Sequence, residues 1–178
     1  MQDEPPVAVL RLGHRPGRDE RTTTHVGLTA RALGADRVLL AGEAASGRDS
    51  IADITDRFGG PFDVETTDAP SAVLEDWAGS IVHLTMYGLP VQDELPAVRG
   101  TYEAGTPLLV VVGAGKVPFD VYEAADWNLA VTNQPHSEIA ALAVFLDRLF
   151  EGRELDREWV DADREVVPRE TGKHVEEP

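Results

Sequence analysis

Six short β-prone runs alternate with six stretches of helical spacing along most of this chain, and that alternation leaves few architectures open. The runs are Val7 to Leu12, Arg37 to Ala41, Phe62 to Thr66, Ser80 to Leu84, Leu108 to Val112 and Asn128 to Thr132. Helical patterns fall at Thr22 to Leu33, Asp49 to Phe58, Ala72 to Ala78, Gln92 to Glu103, Phe119 to Ala125 and Ser137 to Phe150. This order predicts an α/β fold, a mostly parallel sheet with helices on both faces. Leu108-Leu109-Val110-Val111-Val112 is apolar throughout, as a strand covered on both faces is, and Gly113 supplies its exit turn. On the last helix Ile139, Leu142, Ala143, Leu146 and Leu149 make a broad apolar stripe that must be packed away.

Ligands of open parallel sheets bind beyond the carboxyl ends of the strands, so the strand-to-helix loops carry the functional signal. Two stand out, Gly113-Ala114-Gly115-Lys116-Val117-Pro118 and Val131-Thr132-Asn133-Gln134-Pro135-His136-Ser137-Glu138. The first is not a P-loop, because Val stands at position 110 and Val at 117, where the first glycine and the magnesium-binding hydroxyl belong. Nor is it a dinucleotide fingerprint, since Pro118 replaces the third glycine. What remains is a glycine loop whose backbone can approach a flat ligand, or a tight turn closing a buried strand. The second loop holds more polar residues than the single helix cap that Asn133 or Ser137 would supply.

The formal charge of −16 and pI near 4.5 argue against nucleic acid as a partner at ordinary salt. The competing explanation is a halophile surface, with lysine reduced to Lys116 and Lys173 and positive charge carried by arginine. At molar salt the Debye length is about 3 Å, which screens repulsion from a polyanion. Cysteine is absent, removing disulfides and thiolate chemistry, and the five histidines show no metal-ligand spacing, so no metal is expected. No apolar run approaches the roughly 18 residues of a membrane span, and a soluble, cytoplasmic protein is expected.

Against this acidity, Arg11-Leu12-Gly13-His14-Arg15-Pro16-Gly17-Arg18-Asp19-Glu20-Arg21 is unusually basic, and Thr22-Thr23-Thr24-His25 follows it. Arginine forks onto phosphate and ribose oxygens, so Arg15, Arg18 and Arg31 are candidate substrate-binding residues; local Arg–Asp pairing in a solvated loop is the plainer alternative. In the helix that begins here, Val26, Ala30 and Leu33 share the expected buried face, with Thr24 and Arg31 opposite.

Taken together, the N-terminal cluster, His83-Leu84-Thr85-Met86-Tyr87-Gly88 and the two loops resemble the archaeal tRNA (cytidine(56)-2'-O)-methyltransferase family of the SPOUT superfamily, over about Val7 to Phe150. The resemblance implies a C-terminal deep trefoil knot, a homodimer, S-adenosylmethionine as methyl donor and a T-loop cytidine ribose of tRNA as acceptor. It places the donor against Leu84, Gly113, Ala114, Gly115, Lys116, Val117 and Val131 through Thr132, Asn133, Gln134, Pro135, His136, Ser137 and Glu138, leaving Met86 and Tyr87 in the core. In the SpoU branch an arginine of the first helix handles the proton, but that position falls on Leu28 here. The role then passes to Arg21 or Arg18, or to Arg31, with His25 in support as a residue suited to proton exchange.

Beyond Gly152 the pattern of Glu158-Trp159-Val160-Asp161-Ala162-Asp163-Arg164-Glu165-Val166-Val167 suggests a hairpin around Asp161 to Asp163, with a frayed acidic tail from Pro168. The chain thus divides into a domain over 1–152 and an extension over 153–178. Two alternatives stay open: a non-catalytic RNA-binding module of the same fold, and a methyltransferase acting on another ribose or on a base nitrogen.

Overall fold

A computed structural model describes residues 4–15, 17–42, 44–113 and 115–178. Six strands, β1 (Val7–Leu12), β2 (Arg37–Ala41), β3 (Asp63–Thr67), β4 (Ser80–Pro90), β5 (Leu108–Gly113) and β6 (Trp127–Ala130), form one sheet in the order β3-β2-β1-β5-β4-β6. Every pairing in it is parallel. The connecting helices are α1 (Glu20–Ala32), α2 (Ala45–Phe58), α3 (Pro70–Glu75), α4 (Val91–Glu103), α5 (Phe119–Ala124) and α6 (Glu138–Phe150). Strand order reverses between β1 and β5, where the first half of the chain meets the second.

Alternation along the strands builds two cores. Val7, Val9, Val38, Leu40, Val82, Val110 and Val112 pack with α1, α2, α4 and α6, while Ala8, Leu10, Leu39, Leu109 and Val111 pack with Leu74 of α3 and Val121 of α5. The α6 stripe closes the first core: Leu142, Phe145, Leu146 and Leu149 are fully buried. Truncating Phe145 to alanine would cost about 3–5 kcal/mol by the cavity it leaves.

The largest departure from expectation is β4, which continues to Pro90 instead of ending at Leu84. Its ladder with β6 is interrupted: Leu84 and Leu89 both register on Leu129, so Thr85 to Gly88 bulge out of the sheet. Glycine is required there, since a Cβ on Gly88 would lie 2.4 Å from the Asn128 carbonyl oxygen. β6 ends early, at Ala130, because Val131 and Thr132 already belong to the following loop.

The extension also differs. No turn of a hairpin forms at Asp161 to Asp163; instead Val160 bridges Gly60, and the Arg164 amide donates to the Arg57 carbonyl. This edge finds partners on the α2–β3 turn in place of a neighbour of its own. A two-stranded antiparallel ribbon follows, β7 (Glu165–Val166) with β8 (Val175–Glu176), so the tail expected to fray from Pro168 is paired near its end. Among the described residues no helix is long and apolar enough to cross a membrane.

Candidate active site

Three strand ends enclose a cavity of about 290 Å³. β4 and its bulge supply Leu84, Thr85, Met86 and Tyr87; the β5–α5 loop supplies Gly113, Gly115 and Val117; the β6–α6 segment supplies Val131, His136, Ser137 and Glu138. Tyr87, expected in the core, is 76% exposed at this wall, because the bulge turns it out of the sheet. Ala114 lies outside the described residues. Lys116 faces a second cavity, of about 400 Å³, on the other side of the Gly113 to Val117 loop, lined also by Leu12, Gly13, Ala41 and Leu74.

Local hydrogen bonds hold these walls together. Nδ2 of Asn133 donates to the carbonyls of Met86 and Gly88 at 2.8 and 3.0 Å, fastening the β6–α6 loop to the bulge. Ser137 is the N-cap of α6, its hydroxyl accepting from the Ile139 amide at 3.1 Å. Thus Thr132, Asn133, Gln134 and Pro135 frame the cavity without lining it. At its base Tyr122 shares a hydrogen bond with Thr85, 3.1 Å between their oxygens, and meets the His83 ring edge-on at 4.6 Å. Asn128 gives its amide to the Tyr122 carbonyl, and its Oδ1 lies 2.8 Å from His83 Nδ1, which leaves Nε2 of His83 buried without a partner among the described residues. Burial holds the His83 pKa below the ordinary histidine value, against a smaller opposing effect of the Asn128 hydrogen bond.

Behind Glu138 lies a residue that sequence reading left unassigned. Arg11 sits on β1 between Leu10 and Leu12, and the strand's alternation turns it toward the α1–α6 layer, where it is 0% exposed. Its Nη2 is 3.5 Å from Glu138 Oε1, and its Nε and Nη1 have no partner among the described residues. Desolvation pushes its pKa down, with Glu138 and Asp19 pulling it back up. An arginine inside an otherwise apolar strand was the available signal.

The β1–α1 loop divides the predicted arginines. Arg15 spends its fork on Asp19, at 2.7 and 3.0 Å, and that hydrogen bonding is the main reason the Asp19 pKa falls. Nδ1 of His14 lies 2.7 Å from the Thr23 hydroxyl. The Arg18 and Arg21 side chains are exposed and make no ion pair or hydrogen bond among the described residues. His25 is exposed beside a shallow hollow formed with Leu28, Thr29, Ile139 and Ala143 between α1 and α6.

Arg31 departs from expectation. It lies not on an open face but buried, donating through Nη2 to the Phe58 and Gly59 carbonyls, with its guanidinium 4.1 Å above the Trp159 ring. It stands in the last turn of α1, more than ten residues from the helix start at the strand ends, or about 16 Å along the axis. That places it away from the cavity at the strand ends.

The family described as tRNA ribose 2'-O-methyltransferase, aTrm56, matches residues 58–176. Over 180 aligned residues the chain is 69% identical to a tRNA (cytidine(56)-2'-O)-methyltransferase of Haloarcula marismortui, covering 100% of this chain and 98% of that one. It is 68% identical to the enzyme of that name from Natronomonas pharaonis, with 99% and 97% covered, and 53% identical to that of Thermococcus kodakarensis, with 95% and 96% covered. Among solved structures, the SpoU methyltransferase AviRb of Streptomyces viridochromogenes superposes with a TM-score of 0.57 at 15% identity, over 86% of this chain and 59% of that one. A TrmH/SpoU tRNA modifying enzyme of A. aeolicus gives 0.57 at 15%, over 87% and 78%. At these identities the likeness concerns the fold.

Proposed function

Because the chain belongs to the tRNA ribose 2'-O-methyltransferase (aTrm56) family, we propose that it transfers the methyl group of S-adenosylmethionine to the ribose 2'-hydroxyl of the T-loop cytidine at tRNA position 56. The observation that carries this reading is full-length identity to relatives bearing that name.

The residues present suit the donor. Gly115 has a φ of +86°, bare backbone lines one wall, and the His83 Nε2 at the base is a buried polar atom without a partner. Leu84, Gly113, Gly115, Val117 and Val131 would hold it, with the loop through Glu138 closing one side; Ala114 and Lys116 belong to the same proposed donor-binding set. When bound, S-adenosylmethionine supplies an electrophilic methyl group and leaves as a neutral thioether, so orientation and removal of one proton are what the protein must add. Arg18 and Arg21, whose side chains are exposed, orient the substrate backbone beside the reacting hydroxyl, and His25 supports them. Arg15 contributes through Asp19 by fixing the shape of their loop.

The same reading includes a SPOUT-type trefoil knot around β4, β5 and α6, and a homodimer seated on the hollow between α1 and α6. It also includes a cytoplasmic setting, a halophilic source and residues 153–178 as an extension of the 1–152 domain. The test is a methylation assay at molar KCl with labelled donor and unmodified tRNA, followed by mass mapping. A 2'-O-methylcytidine at position 56 is expected; methylation of another ribose or a base, or donor binding without transfer, would refute the assignment.

A further inference from the structure

We infer that His136 accepts the proton released from the ribose hydroxyl, through Nε2; this deepens the methyl-transfer reading and rests on it. Nδ1 of His136 lies 2.7 Å from the Gln134 carbonyl oxygen. A carbonyl can only accept, so the neutral ring carries its proton on Nδ1 and presents a bare lone pair on Nε2. The ring lines the donor cavity and is exposed to an incoming hydroxyl. Its loop is fixed on both sides, by Asn133 on the β4 bulge and by the Ser137 cap.

The other groups around the cavity are less fit for this task. Arginines keep their protons at neutral pH, which leaves Arg18 and Arg21 to orient but not to accept. Glu138 is the counter-ion of the buried Arg11, and a carboxylate is intrinsically about two units less basic than an imidazole. His83 is enclosed beneath Tyr122, and burial lowers its pKa. His14 has Nδ1 on Thr23 and Nε2 buried, and His25 lines the α1–α6 hollow instead. Of the two tyrosines at the cavity, Tyr122 shares its hydroxyl with Thr85 and Tyr87 is turned outward on the bulge. As the ribose oxygen bonds to the methyl carbon, the carbon–sulfur electron pair stays with sulfur and the hydroxyl proton moves to Nε2.

The test compares wild type, His136→Gln and His136→Ala at saturating tRNA. Turnover should fall about 10²- to 10⁴-fold, while donor affinity by calorimetry changes only a few-fold. The acid limb of the turnover profile should disappear in His136→Gln, and added imidazole should restore part of the activity of His136→Ala. Nitrogen NMR of the ligand-free protein at alkaline pH should show the Nδ1-protonated tautomer. Turnover within a few-fold of wild type, donor affinity falling in step with activity, or an Nε2-protonated ring would each overturn the assignment. A wild type that methylates no tRNA ribose would instead bring down the family reading, and this inference with it.

Discussion

Two buried arginines at opposite ends of the sheet invite comparison. Arg31, at the amino end, satisfies the Phe58 and Gly59 carbonyls and lies against Trp159, which also stacks with Arg157 at 5.2 Å. Arg11, at the carboxyl end, has, among the described residues, one carboxylate at 3.5 Å and two nitrogens with nothing to bond. Both pay for desolvation, which lowers both pKa values. The first recovers the cost within the fold by binding the α2–β3 turn and the extension. The second recovers less of it, and its one counter-ion faces the cavity in which the chemistry is proposed. A buried charge that is well partnered reads as architecture, and one left under-partnered beside a cavity reads as function.

The sharpest way to break this contrast is Arg31→Met, which strips donors from two carbonyls and removes the Trp159 stack. The expected loss is about 3 kcal/mol, or about 6–12 °C in Tm, by calorimetry. Donor affinity of the remaining folded protein should be unchanged. Next comes Arg11→Met, for which turnover should fall by about tenfold or more, equivalent to about 1.4 kcal/mol, while Tm moves far less than in Arg31→Met. Equal Tm losses in the two variants would erase the distinction.

A smaller effect is expected for Arg21→Ala: a several-fold higher KM for tRNA and a shallower dependence of tRNA binding on salt, with donor affinity unchanged. Smallest is a pH effect at the amino end. Glu154 is 1% exposed, both its carboxylate oxygens lack partners among the described residues, and burial pushes its pKa up. The folded state therefore holds this proton more tightly than the unfolded chain, and the contribution is present at low pH and lost as pH rises through the raised value. Tm of Glu154→Gln should exceed that of wild type at pH 7, and the gap should close toward pH 4.

Much of the scaffold was legible because its signals are local. β1 and β2 fall where their apolar runs do, and α6 where its stripe and the Ser137 cap place it. The β4 bulge was not legible, since Thr85 to Gly88 leave the ladder through register against β6, a partner some forty residues away. For the same reason Tyr87 read as core and stands exposed. Residues 160–164 read as a hairpin because periodicity reports tendency to pair, not the choice of partner.

By itself the sequence determined the parallel α/β class, the two loops at the carboxyl edge and, through its resemblance, the reaction family. These follow from spacing and residue type, which are properties of neighbours along the chain. The tertiary structure alone decided that Arg11 is sealed against Glu138, that Arg31 serves the fold, and that His136 lines the cavity with Nδ1 on the Gln134 carbonyl. Each of these depends on which distant group fills the space beside a side chain, and burial and hydrogen-bond partnership are set only when the strands have found their order.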